Sequence, residues 1–201
     1  MACDHKFSND LLIGYANWEV RTLFIGTFNP SWLCCNNSAN WFYGRTSRNE
    51  FWCILAKIHQ NNSLINGNRA IWIEFCKRNN LAITDIITSL DNANENNATH
   101  RDNICNFNDE ALGQFTSTKT DIVQILETHS TIKQLCITRQ NLSPSWIECF
   151  ANMFIWIQNH PERDISIKYL RSPSRGARKG VVGNFCDFIA NRWVQQGYQI
   201  L

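Results

Sequence analysis

Val20-Arg21-Thr22-Leu23-Phe24-Ile25-Gly26-Thr27-Phe28-Asn29-Pro30 is the stretch on which the reading of this chain turns. A short apolar run ends at a glycine, and a proline follows four residues later. That pattern predicts a buried strand over 20–27 running into a tight loop. Glycine at a strand end lets backbone approach a neighbour closely, and Pro30 fixes the turn and removes a donor. Asn29 offers a carbonyl and an amide, which orient water but do not deprotonate it. An ordinary strand-to-loop turn is the competing reading.

Outward from this strand, segments of helical period alternate with short apolar runs. Residues 31–48 are irregular and aromatic. Helices are expected over 49–59, 69–79, 119–129, 143–157 and 181–196, and strands over 81–87, 132–138 and 165–170. The alternation predicts a single α/β domain over 1–201, a three-layer α/β/α fold around a central, mainly parallel four-stranded sheet. Ligands then bind beyond the carboxyl ends of the strands. The segment 91–117 is the least regular and reads as a lid or variable insertion.

The chain has 201 residues, 44% of them hydrophobic and 18% charged, with a formal net charge of +2. Such a balance is no global signature of a nucleic-acid binder, so any such partner must be argued from where the cations sit. No run approaches the ~18 apolar residues a membrane span needs, and no apolar leader follows Met1, so a cytoplasmic protein without membrane association is expected. The nine cysteines include no C-x-x-C pair and are read as reduced, packed as small hydrophobes. Cys34-Cys35 is the one suggestive pair. No metal and no cofactor are expected. Walker-type, dinucleotide-binding and nucleophile-elbow motifs are absent.

Two further stretches carry chemistry. Trp41-Phe42-Tyr43-Gly44-Arg45 and Arg48-Asn49-Glu50-Phe51-Trp52 set aromatics and arginines just before a helix. Aromatic faces stack bases and arginines meet phosphates. Phe51 and Trp52 read as core anchors, Phe42 and Tyr43 as candidates for stacking, and Asn49 as either a site residue or a helix cap. Leu170-Arg171-Ser172-Pro173-Ser174-Arg175-Gly176-Ala177-Arg178-Lys179 follows a strand and gathers four cations with no acid among them. Its hydroxyls and backbone N–H groups suit phosphates; a basic surface loop is the plainer reading. Asp85, inside the second strand, reads equally as catalytic or as a tie for a neighbouring loop.

In this order, the segments resemble the uracil-DNA glycosylase superfamily. Gly26-Thr27-Phe28-Asn29-Pro30 is similar to its first motif, and Tyr43-Gly44 with Asn49-Glu50-Phe51-Trp52 to a stretch of its mismatch-specific and hypoxanthine-type branches. Leu81-Ala82-Ile83-Thr84-Asp85-Ile86 is similar to those branches' second strand, and Leu170-Arg171-Ser172-Pro173-Ser174 to the second motif. The resemblance covers residues 20–195. The family's Gly-x-Asn-Pro has one residue where Thr27 and Phe28 stand here, and the uracil-specific branch's Asp and His are missing. The resemblance implies a monomeric DNA glycosylase that hydrolyses the N-glycosidic bond of an altered base flipped from DNA. Asn29 or Asn49 would position the water. Gly26, Thr27, Phe28, Phe42 and Tyr43 would hold the base. Arg171, Ser172, Pro173, Ser174, Arg175, Arg178 and Lys179 would meet DNA. The alternatives are a non-catalytic nucleic-acid-binding module and an enzyme of free nucleosides or nucleotides.

Overall fold

A computed structural model describes residues 1–45 and 48–201; Thr46 and Ser47 lie outside the described residues. Strands β1 (Cys3–Asp4), β2 (Thr22–Gly26), β3 (Leu81–Asp85), β4 (Ile87–Leu90), β5 (Ser117–Lys119), β6 (Gln134–Ile137) and β7 (Ser166–Tyr169) form two sheets. The larger has four strands, all parallel, in the order β3-β2-β6-β7. The smaller is antiparallel, β1-β4-β5. The expected four-stranded parallel sheet is thus present; the second sheet is not foreshadowed by periodicity. The strand expected over 81–87 reads as one run in sequence. It divides at Ile86, where the chain leaves one sheet for the other.

β2 is central, and all five of its residues are buried. Its side chains alternate between two apolar clusters. Leu23 and Ile25, with Leu135 and Ile137 of β6, join Ile122, Ile125, Leu126, Trp146 and Met153. Phe24, with Ile83 and Cys136, joins Phe51, Trp52, Trp72 and Trp193. A strand covered on both faces reads as a near-continuous apolar run, which is why 23–25 shows no polar alternation. The free edge of β3 is closed by side chains. Tyr15 Oη accepts from Ile83 N at 2.8 Å and donates to Ile83 O at 3.0 Å, and Trp18 Nε1 donates to Leu81 O at 2.9 Å. Strand groups that would otherwise template a foreign chain are thereby occupied.

Helices α1 (Leu12–Tyr15), α2 (Phe51–Ile58), α3 (Arg69–Arg78), α4 (Ala98–Cys105), α5 (Asp109–Leu112), α6 (Ile122–Thr128), α7 (Pro144–Cys149), α8 (Ala151–Asn159) and α9 (Phe185–Gln195) complete the fold. The helix expected over 143–157 is broken at Phe150, whose ring is buried in the core. The helix expected from 181 starts at Phe185, because Gly180 and Gly183 hold φ of +80° and +87° and Asn184 caps it by accepting from Asp187 N. Segment 91–117, the least regular in sequence, holds the short helices α4 and α5, with Asn97 capping α4. Among the described residues, no helix is long and apolar enough to cross a membrane.

The cysteines correct an expectation. Cys35 is disulfide-bonded to Cys105 and Cys53 to Cys186, while Cys3, Cys34, Cys76, Cys136 and Cys149 are free. Partners separated by 70 and 133 residues leave no spacing signal in sequence.

The Phe24 side is held by stacked indoles. Trp52 and Trp72 lie parallel with centroids 4.7 Å apart, and Trp52 Nε1 donates to Phe42 O at 3.0 Å. Trp52→Ala should therefore lower unfolding free energy by about 3–5 kcal/mol, read by denaturant titration of far-ultraviolet circular dichroism.

Candidate active site

The parallel register brings the strand ends level. Gly26 pairs with Asp85, Ile25 with Ile137, and Ile137 with Tyr169. The chain runs from β2 to β3 on one side and returns to β6 on the other, so strand order reverses between β2 and β6. A crevice at the carboxyl ends of the strands is expected at such a reversal. There lies an open cleft. Thr27, Phe28 and Asn29 line it from the β2 loop, and Thr138 from the end of β6. Tyr43, Arg45 and Asn49 come from the aromatic segment, and Ser172, Pro173 and Ser174 from the loop after β7.

The floor is built around Asp85, which is 2% exposed. Its Oδ2 accepts from Asn29 Nδ2 at 2.7 Å and is 2.8 Å from His5 Nε2. His5 Nδ1 accepts from Phe7 N at 3.0 Å, so the neutral ring carries its proton on Nε2 and donates it to Asp85. His5 reaches this place because β1 runs on beside the β2 loop: His5 bridges Pro30, and Lys6 N donates to Asn29 O. Asn29 lines the cleft with its amide nitrogen committed to a carboxylate, and among the described residues no donor meets its carbonyl oxygen.

Gly26 is not among the residues that line the cleft. A Cβ there would stand 2.2 Å from Asp85 Oδ1 and 2.5 Å from Tyr43 Oη, so the glycine makes room for those two side chains. Tyr43 has φ of +57°, stacks on Phe51 at 4.0 Å and 8°, and shares a hydrogen bond with Thr138 Oγ1 at 2.9 Å. Burial, and then the charge of Asp85, push its hydroxyl pKa well above the ordinary tyrosine value. Phe42 is corrected as a base-stacking candidate. Its ring is fully buried behind the floor, 5.5 Å from the His5 ring and 5.5 Å from Phe7, and does not line the cleft.

Asn49 stands one residue before Glu50, the N-cap of α2. Its Oδ1 accepts from Phe51 N at 2.9 Å at the start of α2, and the residue also lines the cleft. The two motif loops are joined through backbone: Asn49 bridges Ser174, Glu50 N donates to Pro173 O at 2.8 Å, and Arg175 N donates to Arg48 O at 3.0 Å. The cation cluster is smaller than expected. Arg171 turns inward, donating to Ala177 O at 2.8 Å and lying over Phe188, and so braces its own loop. Arg175 pairs with Glu50 at 2.8 Å. Arg178 and Lys179 are exposed.

Arg45, Phe107 and Asp109 also line the cleft. Arg45 lies over Phe107, 3.3 Å from its centroid, and among the described residues no carboxylate pairs with it. Burial, and next the repulsion of Arg48, lower its pKa to about 10. A half-buried cation on an aromatic face is suited to an anion. Asp109 Oδ2 accepts from Thr27 Oγ1 at 2.9 Å and from Arg139 Nη2 at 3.0 Å. Burial still raises its pKa above the ordinary carboxylate value. Residues 91–117 were read only as a lid or variable insertion, with no residue singled out; Asp109 starts a helix of four residues, and nothing local marks its target. His5 had none either.

No family model, curated protein or solved structure matches this chain.

Gly26→Ala should displace Tyr43 and destabilise the protein by ~1–3 kcal/mol. At Gly176, where an added Cβ meets only Ser174 Oγ at 3.6 Å, alanine should change stability by no more than about 0.5 kcal/mol. Thermal unfolding of the two variants compares them directly.

Proposed function

We propose that this protein is a monomeric DNA glycosylase that hydrolyses the N-glycosidic bond of an altered base flipped into the cleft. The observation that carries this reading is the bond from Asn29 Nδ2 to buried Asp85. It supports Asn29 as the water-positioning residue despite the extra residue in its loop, because the free carbonyl oxygen can accept from water. Asn49, whose own Oδ1 is engaged, retains its amide as a donor for a base carbonyl. A three-layer α/β/α arrangement belongs to the same reading, supported by the apolar clusters that share the alternating side chains of β2.

In this mechanism the base enters between Phe28, Tyr43 and Phe107. Asn29 orients water toward C1′ of the sugar. A neutral amide cannot take the water's proton, so bond cleavage runs ahead of attack, and Asp109 receives the proton as water adds. The charge developing on the leaving base is met by Asn49 and by the backbone N–H groups of the β2 loop. Ser172 and Ser174 use their side-chain oxygens as acceptors within the loop, and their hydroxyl protons remain for phosphate. Arg45 adds a half-buried positive charge beside them.

A second reading, cleavage of free nucleosides or nucleotides, draws support from Arg171 turning inward and Arg175 pairing with Glu50. One assay separates the two. Purified protein is incubated with single- and double-stranded oligonucleotides, each holding one altered base, and separately with the matching nucleosides. Abasic sites and free bases are scored. Base release from DNA alone is expected; release from nucleosides alone favours the second reading, and release from neither sinks both.

Asn29→Ala should cut base release by roughly 10²–10³-fold, of the order lost with a well-placed polar group, and leave DNA binding unchanged. The Asp109 carboxylate acts only when ionised. Its raised pKa therefore makes activity fall as pH drops through a value above the ordinary carboxylate range. Asp109→Asn should remove that acidic limb from the pH–rate profile, and an unchanged limb would assign it to another group.

A further inference from the structure

Beside the disulfide that joins Cys35 to Cys105 stands a third sulfur. Cys34 and Cys35 end the short turn Leu33–Cys35, and Cys105 ends α4. All three ligand atoms lie within 4.8 Å of one another. A cross-link needs only two sulfurs, yet Cys34 Sγ is held 3.7 Å from Cys105 Sγ. Two thiolates sharing a tetrahedral zinc at bonds of about 2.3 Å lie about 3.8 Å apart. Glu95 and Arg101 lie close enough to act on the Cys34 thiol electrostatically. The site would thus have a cation nearby to offset its negative charge, and its fourth position would be left to water.

We propose that the reduced chain binds one divalent ion of zinc's class through Cys34, Cys35 and Cys105, with water completing the tetrahedron. Disulfide and metal then compete for the same sulfurs. Opening the Cys35–Cys105 bond takes two electrons. A phosphine reductant supplies them, becoming its oxide with oxygen from water, and two thiols form. Each thiol releases its proton to buffer as it ligates. The ion would pin the end of α4 two residues before Phe107, so the site borders the cleft without depending on what the cleft does.

The test uses the full chain, reduced with a phosphine and titrated with cobalt(II), then back-titrated with zinc. One equivalent of cobalt should bind, with thiolate-to-cobalt charge transfer in the near ultraviolet and tetrahedral bands in the visible; zinc should abolish both. Cys34→Ser, at an exposed position, should weaken binding by more than the roughly 10–100-fold seen when a supporting group is lost. Cys53→Ser and Cys149→Ser should leave it unchanged. No charge-transfer band in the folded, reduced chain overturns the proposal, and so does a band that survives Cys34→Ser. A reduced chain that loses its helical dichroism and does not regain it with cobalt overturns it too.

Discussion

A carboxylate buried at the end of a parallel strand is the constraint around which the cleft is organised. Taking a charged carboxylate out of water costs several kcal/mol unless its oxygens are met by donors. Asp85 meets that demand with His5 from the N-terminal strand and Asn29 from the β2 loop. Both donors are thereby fixed in position and orientation. The requirement extends further: Gly26 must lack a side chain so that Asp85 and Tyr43 can occupy the space beside it. Removing either donor would leave the buried carboxylate one hydrogen bond short, so the strand end, the loop and the N-terminus are coupled energetically although they are distant in sequence.

The aromatic segment serves the same geometry from behind. Tyr43 adopts a left-handed conformation and lies flat on Phe51. Gly44 follows because a Cβ there would meet Trp41 O and Trp72 Cζ3, both at 2.9 Å. The Tyr-Gly pair is thus a packing device that delivers one phenol to the cleft. Indole N–H groups of Trp52, Trp72 and Trp193 donate to the carbonyls of Phe42, Leu64 and Arg171, which ties the core to the loops it supports. A rigid scaffold with its polar groups on loops is the general arrangement of a site that must hold a ligand in register.

Much of this was legible in the chain itself. The alternation of short apolar runs with helical periods located the parallel strands, and their level carboxyl ends indicated which loops meet. Thr27, Phe28, Asn29, Tyr43, Asn49 and Ser172-Pro173-Ser174 do line one cleft. Phe42 was misread because an aromatic beside a loop has the same local pattern whether it faces the ligand or the core. Arg171 was misread because a cation's partner can be a carbonyl six residues on, which composition does not reveal.

The sequence by itself determined where strands end and which loops carry polar groups, because burial imposes a local period on each segment. Tertiary structure alone decided the partners. His5 meets Asp85 across 80 residues, Asp109 meets Thr27 across 82, and Cys105 meets Cys34 across 71. None of these pairs leaves a local signature, because each side chain is chosen for a neighbour that only the folded chain supplies. The orientation of the Asn29 amide nitrogen belongs to that second class. It follows from a carboxylate on the adjacent strand, which can accept hydrogen bonds but not donate them.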